Sequence, residues 1–264
     1  MIIYKTEPEI AAMKRSSRIV AKVLAELKMM IKPGVSTKML DDYAEKRTRE
    51  LGAVPAFKGY RGYPAALCAS VNEEIIHGIP SSRALKDGDI IGLDFGVLCD
   101  GFYGDAAVTV PVGEVSLRAQ ELIAAAEKAF YKGIEQLKKG NRISDVSHAI
   151  QTFVETQGFS VIRSFVGHGI GHSLHEEPQV PNFGLPGRGP KIKEGLTLAV
   201  EPMIALGDWQ EEILEDGWTA VTKDRSLSAH FEHTVALTDR GVEILSLREE
   251  EEPQLFSSEV NRYA

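Results

Sequence analysis

The sequence predicts a domain of mixed helices and strands built from two similar halves, and three observations carry that expectation. Residues 90–110 form a β-hairpin pattern in which each strand holds one aspartate among apolar residues. A pair of amphipathic helices opens each half, the first near the N-terminus and the second at Leu117. The punctuating glycines repeat: Gly34 and Gly52 bracket the second helix, Gly140 and Gly158 bracket the fourth, and both pairs are 18 residues apart. From Gly34 to Asp94 is 60 residues and from Gly140 to Glu201 is 61, so Glu201 takes in the second half the place of Asp94 in the first. A chance match of glycines would leave the halves unrelated. A true repeat would set them face to face across a pseudo-twofold axis, with the acidic residues of both at the seam.

In chain order, Thr6 can cap a helix that follows Pro8, with Met13, Val20, Val23, Leu24, Leu27 and Ile31 at helical spacing and Pro33-Gly34 as its stop. Ser36 or Thr37 starts a second helix with Leu40, Tyr43, Ala44 and Leu51 inward, ending at Gly52. A glycine-rich aromatic loop follows from Phe57 to Pro64, then a strand from Ala65 to Val71 and a turn region containing His77. In the hairpin, Asp100-Gly101 suits the two left-handed positions of a type I′ turn. That turn pairs Cys99 with Phe102, Gly96 with Asp105 and Asp94 with Ala107, so the two aspartates share a face as diagonal neighbours roughly 7–8 Å apart at the backbone. Buried together they would repel, and each costs several kcal/mol unpaired. A bound cation relieves both costs; equally, on the hairpin alone, one aspartate is solvated and the other pairs with an arginine. Helices are expected over 117–137 and 143–157, and strands over 161–166, 197–203, 218–222 and 229–237. Residues 181–190 are a Gly/Pro-rich loop. The charge run after Leu247 reads as the end of the fold, giving a single domain over 1–247 and a solvated acidic tail over 248–264.

Composition narrows the partners. With 264 residues and 43% hydrophobic content the chain can build an ample core. A net charge of −8 without a basic block argues against nucleic acid and anionic membranes. No signal-peptide core or membrane-length apolar run is visible, and the two cysteines, Cys68 and Cys99, form no disulfide framework, so a reduced cytoplasm is the expected compartment.

Four acids lie in otherwise apolar or small-residue strands: Asp94, Asp105, Glu201 and Glu232. A lone buried Glu more often pairs with Arg or Lys, but these segments offer few cations. One histidine would complete a five-ligand set. Such an oxygen-rich set suits Mn²⁺, Fe²⁺, Co²⁺ or Zn²⁺ with open positions rather than a closed structural zinc site. Shared carboxylates suit two metals roughly 3.5–4 Å apart, which lower the pKa of a bridging water and polarise a carbonyl. His168 and His172 lie in a glycine-rich stretch that is a poor helix, so they are not the paired histidines of a helical zinc-protease motif.

Residues 1–247 resemble the bacterial type I methionine aminopeptidases. The resemblance rests on Asn72…His77-Gly-Ile-Pro, Leu93-Asp-Phe-Gly, Gly101-Phe-Tyr-Gly-Asp105, Gly167-His-Gly-Ile-Gly, His175-Glu-Glu-Pro, Glu201-Pro-Met and Phe231-Glu-His-Thr. It implies the α+β pita-bread fold, a curved antiparallel sheet backed by two helix pairs, which matches the internal echo. It implies two divalent ions, with Asp94 on one, Asp105 and Glu232 bridging, and His168 and Glu201 on the other. Glu201 would also shuttle the proton of the attacking water, His175 would donate to the scissile carbonyl as it becomes an oxyanion, and His77 would contact the scissile amide. Phe57, Tyr60, Tyr63, Cys68, Leu174 and Trp218 would line the methionine pocket, with His77 and His175 at its mouth. The implied substrates are nascent polypeptide N-termini with a small second residue. Ribosome association at the nascent-chain exit would fit, although no docking patch is legible, and the expected state is a monomer.

The chain departs from the family pattern at three places: Phe57 where Cys is common, Leu174 where Phe is common, and Arg61 where His is common. They bear on pocket shape, not on the metal set. His148 reads as a surface residue, His172 takes no assigned role, and His230 and His233 are expected at the rim or back of the site. Two other readings compete. A proline-directed peptidase of the same fold would carry a large extra N-terminal domain, and a non-catalytic module would have lost ligands; all five are present.

Overall fold

The structure, a computed structural model, describes residues 1–251. In chain order the helices are α1 (Glu7–Met30), α2 (Thr37–Glu50), α3 (Leu117–Ile134) and α4 (Ile143–Thr156). The strands of the first half are β1 (Val54–Pro55), β2 (Cys68–Val71), β3 (Glu74–Ile76), β4 (Ile90–Cys99) and β5 (Phe102–Pro111). Those of the second are β6 (Ser160–Val161), β7 (Gly167–Gly169), β8 (Glu176–Val180), β9 (Thr197–Val200), β10 (Met203–Ala205), β11 (Glu211–Ile213), β12 (Ala220–Thr222), β13 (Ser228–Thr238) and β14 (Gly241–Ile244). The main sheet runs β1-β4-β5-β13-β9-β7-β8, and β5–β13 is the seam where the two halves join, antiparallel, with Glu232 opposite Ala107. Helix α1 packs against β4 and β5, and α3 against β13, so one helix pair backs each half.

The helices form for local reasons. Glu9 accepts from both the backbone N–H and the hydroxyl of Thr6, closing the start of α1. Its buried stripe is Ile10, Met13, Val20, Val23, Leu24 and Leu27, each large side chain contributing roughly 1.5–3 kcal/mol of burial. Where α1 crosses the hairpin, both surfaces are small: a Cβ on Gly104 would lie 2.7 Å from the Ser17 backbone nitrogen.

The hairpin register is the expected one. Asp100 and Gly101 have φ of 51° and 81°, and Asp94 faces Ala107 while Gly96 faces Asp105. The repeat is also structural. The Gly34 N–H donates to Leu85 and the Gly140 N–H donates to Ile192; Asp94 and Glu201 each follow nine residues after those acceptors. Ala53 and Phe159 close their helices with the same backbone bond, to Thr48 and Val154.

Several boundaries differ from expectation. The strand over 161–166 is only Ser160–Val161, because β6 pairs with β10 and the chain then bends away to line the site. The strand over 197–203 breaks at Glu201-Pro202, where proline has no N–H to continue the ladder. Ala65 to Leu67 precede the strand proper, the third helix stops at Ile134 rather than Leu137, and Trp218 sits before β12. The short strands β3, β8, β11 and β14 are only three to five residues long, too short for a period-2 pattern to mark them. The boundary at Leu247 falls too early: Arg248 is 2% and Glu251 4% exposed, and the two form an ion pair, so the fold continues through Glu251. The remainder of the expected tail, 252–264, lies outside the described residues. No helix among the described residues is long and apolar enough to cross a membrane.

Candidate metal centre and substrate pocket

The four acids converge from both halves. Asp94 (β4) and Asp105 (β5) come from the hairpin, Glu232 from β13, and Glu201 from the break after β9; all four and His168 line one cavity. Asp105, His168 and Glu232 each offer a donor atom within 4.8 Å of one another. His168 Nε2 is 3.5 Å from Glu201 Oε1. His168 Nδ1–H donates to the Gly169 carbonyl at 2.9 Å, which leaves the Nε2 lone pair facing the carboxylates.

Without a cation this arrangement is costly. Burial pushes the Asp94 carboxyl up to about 7, and burial together with the other carboxylates pushes Asp105, Glu201 and Glu232 up as well. Burial lowers His168 to about 4, so its ring is neutral and adds no compensating charge. Asp105 Oδ1 and Glu232 Oε1 are buried without a hydrogen-bond partner among the described residues. Buried polar atoms in folded proteins are seldom left so. Unpaired carboxylate oxygens converging on an imidazole lone pair fit divalent cations, with carboxylates as the hard ligands and one imidazole.

Beside the acids lies the apolar slot. Phe57, Tyr60, Tyr63, Cys68, Leu174 and Trp218 all line the cavity, as do His77 and His175. Cys68 pairs directly with Asp94 across β2–β4, which sets the slot against the carboxylates. Tyr63 packs edge-on against Trp218 at 5.2 Å, and its hydroxyl donates toward the carbonyls of Gly78 and Leu67 at 3.0 and 3.2 Å. Phe57 fits because position 96 is glycine: a Cβ there would lie 2.7 Å from the Phe57 ring. His77, with φ 61°, stands edge-on to Phe165 and Trp218, and burial lowers it to about 4. His175 stacks on Tyr60 with centroids 5.2 Å apart, and its Nδ1 lies 2.9 Å from the Tyr60 hydroxyl.

Every residue expected at the site therefore reaches it. Sequence reasoning missed Ile76, Phe165 and Val166, which complete the cavity wall. It placed His230 only loosely. His230 is 3% exposed, and its Nε2 lies 3.7 Å from Glu232 Oε2 and 3.9 Å from Glu201 Oε2. Strand alternation could have found it, since residue 230 shares a face with residue 232. His233 points the other way, its Nδ1 2.9 Å from Ser246 Oγ. His148 and His172 are exposed, as expected for residues outside the site.

The family model for metallopeptidase family M24 matches residues 11–239. The chain belongs to metallopeptidase family M24. Methionine aminopeptidase 1 of Bacillus subtilis (strain 168) is 51% identical over 93% of this chain and 99% of that relative. The methionine aminopeptidase of Clostridium perfringens is 51% identical over 94% and 99%. A crystal structure of methionine aminopeptidase from Thermotoga maritima superposes with a TM-score of 0.92 at 48% identity, covering 94% of this chain and all of that one. Prolidase from Pyrococcus furiosus, 20% identical with a TM-score of 0.76, shares the fold. The M24 chain described here thus has the pita-bread architecture, with the antiparallel sheet and two helix pairs that its sequence implied.

Proposed function

We propose that this M24 metallopeptidase removes the N-terminal methionine of polypeptides whose second residue is small. The observation that carries the reading is the convergence of Asp94, Asp105, His168, Glu201 and Glu232 in one cavity with the apolar side chains Phe57, Tyr63, Leu174 and Trp218. Asp94 would hold one divalent ion, His168 and Glu201 the other, and Asp105 and Glu232 both. When bound, such ions lower the pKa of water and polarise a carbonyl. Candidate ions are Co²⁺, Mn²⁺, Fe²⁺ and Zn²⁺.

The chain's own residues supply the rest. The slot formed by Phe57, Tyr60, Tyr63, Cys68, Leu174 and Trp218 takes the methionine side chain and aligns the first peptide bond with the acids. Glu201 accepts the proton of the attacking water and returns it to the leaving amine. His175 Nδ1 lies 2.9 Å from the Tyr60 hydroxyl; with that hydroxyl as the donor, the ring keeps Nε2–H to donate to the carbonyl oxygen as negative charge builds there. His77 sits on the leaving side, against Phe165 and Trp218. The source of such substrates is the nascent chain in the cytoplasm, at or near the ribosome, with the enzyme acting as a monomer. A non-catalytic role gains no support, because the complete donor set is assembled.

Hydrolysis of Met-Ala-Ser should far outrun that of Met-Lys-Ser, because the second side chain must fit between His77 and the rim. Equal kcat/KM for the two would contradict the specificity.

The pocket departures yield a further expectation. Phe57 and Leu174 belong to one apolar cluster around the slot, so the larger residue at 57 compensates the smaller one at 174. Phe57→Cys alone should leave a gap and weaken discrimination between methionine and norvaline; Leu174→Phe alone should overfill the slot and raise KM. The double variant should recover, with a coupling of about 0.5–3 kcal/mol. The check is kcat/KM for Met-Ala-Ser and norvaline-Ala-Ser in all four proteins, and strictly additive effects would refute the compensation.

A further inference from the structure

The loop that carries His175 is irregular from Gly171 to His175 and has little backbone pairing of its own; the Gly171 N–H donates to Ser173 and the Tyr103 N–H donates to Gly171. What ties its far end down comes from the opposite end of the chain. The Lys5 ammonium donates to Glu176 Oε2 at 2.5 Å, with the two side chains 1% and 6% exposed. The other oxygen of Glu176 accepts from the Ser173 N–H at 3.2 Å, so one carboxylate links Lys5 to the turn just ahead of His175. Lys5 is itself held: its N–H donates to Gly195 at 2.7 Å, and Gly195 N–H donates to Leu237 on β13. The lysine stem lies so close to Gly171 that a Cβ there would collide with it. Four residues on, Glu9 of α1 pairs with His172 at 3.1 Å. The segment from Lys5 to Glu9 is thus a strap across the catalytic loop, anchored to the sheet on one side and to α1 on the other.

We propose that Lys5 is a positioning residue for the reaction: through Glu176 it fixes the backbone at His175, while Tyr60 fixes the ring. The physical basis is twofold. A buried ammonium and carboxylate lock each other strongly, because either one alone would be an uncompensated charge in the interior. A donor must also lie within hydrogen-bond reach of where the oxyanion forms, and a displacement of 1 Å can cost about 10²-fold in rate. The inference rests on the reading of His175 as the carbonyl donor.

The test is a double-mutant cycle on the metal-loaded enzyme with Met-Ala-Ser: Lys5→Met and, as the milder probe, Glu176→Gln, each in the parent and in a His175→Ala background. In the parent, each should lower kcat, Lys5→Met by about 10- to 100-fold, with KM changed by less than a few-fold and metal content unchanged. In the His175→Ala background the same substitutions should cost less than about twofold, because the residue they position is gone. Hydrogen exchange should quicken at Ser173 and its neighbours in both variants. Equal fractional losses in the two backgrounds, or parent-like kcat in Glu176→Gln, would overturn the role of Lys5. A His175→Ala enzyme with parent-like kcat would instead overturn the reading of His175 itself. Should Lys5→Met fail to fold, the Glu176→Gln cycle decides alone.

Discussion

Chelation of the divalent metals is expected to abolish turnover, and Mn²⁺, Co²⁺ or Fe²⁺ to restore it. The site holds four buried carboxylates and a neutral histidine, and carboxylate oxygens are left unpaired. Asp105→Asn should lose most of the metal affinity, because Asp105 is one of the two residues proposed to serve both ions and its Oδ1 has no other partner among the described residues. Metal analysis of the purified variant checks this; two tightly bound metals with full turnover would remove Asp105 from the bridging role. Stability gives a second readout. Asp94 is raised from 3.8 to about 7 in the fold, so the folded metal-free protein favours the protonated carboxyl. A raised carboxyl pKa means that stability is lost as pH climbs from the unfolded value toward the folded one. The Tm of metal-free enzyme should therefore fall between about pH 4 and 7, and metals should flatten that fall at neutral pH. Asp105→Asn, with one fewer repelling charge, should be more stable than the parent when metal-free. A metal-free parent whose Tm is flat across that window would contradict the repulsion argument.

Glu201→Gln is expected to keep the fold and to lower kcat by about 10²–10⁴-fold, the usual contribution of a general acid–base group. The amide is nearly isosteric and retains an oxygen toward His168 and the metal set, but it cannot take a proton from water. Glu201 is well placed for that proton: it is buried, its Oε1 faces His168, and its position at the break before Pro202 frees it from strand alternation. The variant should bind methionine-containing peptides about as tightly as the parent, so the loss should fall on kcat. A rate and a pH–rate profile indistinguishable from the parent would exclude the shuttle.

The site was legible to different depths at different residues. Asp94 and Asp105 could be placed on one face from sequence alone, because the Asp100-Gly101 turn dictates the register and a strand alternates with period 2. Glu201 could be matched to Asp94 because the glycine spacing repeats, and the helix–glycine punctuation behind that repeat is local chemistry. Only the tertiary structure decided where the chain leaves its strands. Ile162, Phe165 and Val166 are strand-forming residues, yet the strand ends at Val161 and Phe165 and Val166 supply a cavity wall. His230 was ambiguous because alternation gives its face but not what packs there. Arg248 and Glu251 resemble a solvated charge run until the fold buries them against each other. The Lys5–Glu176 pair joins residues 171 positions apart. Periodicity and turn preference act over a few residues and can be read from them. Burial and the pairing of distant charges depend on which surfaces meet, and only the assembled halves determine that.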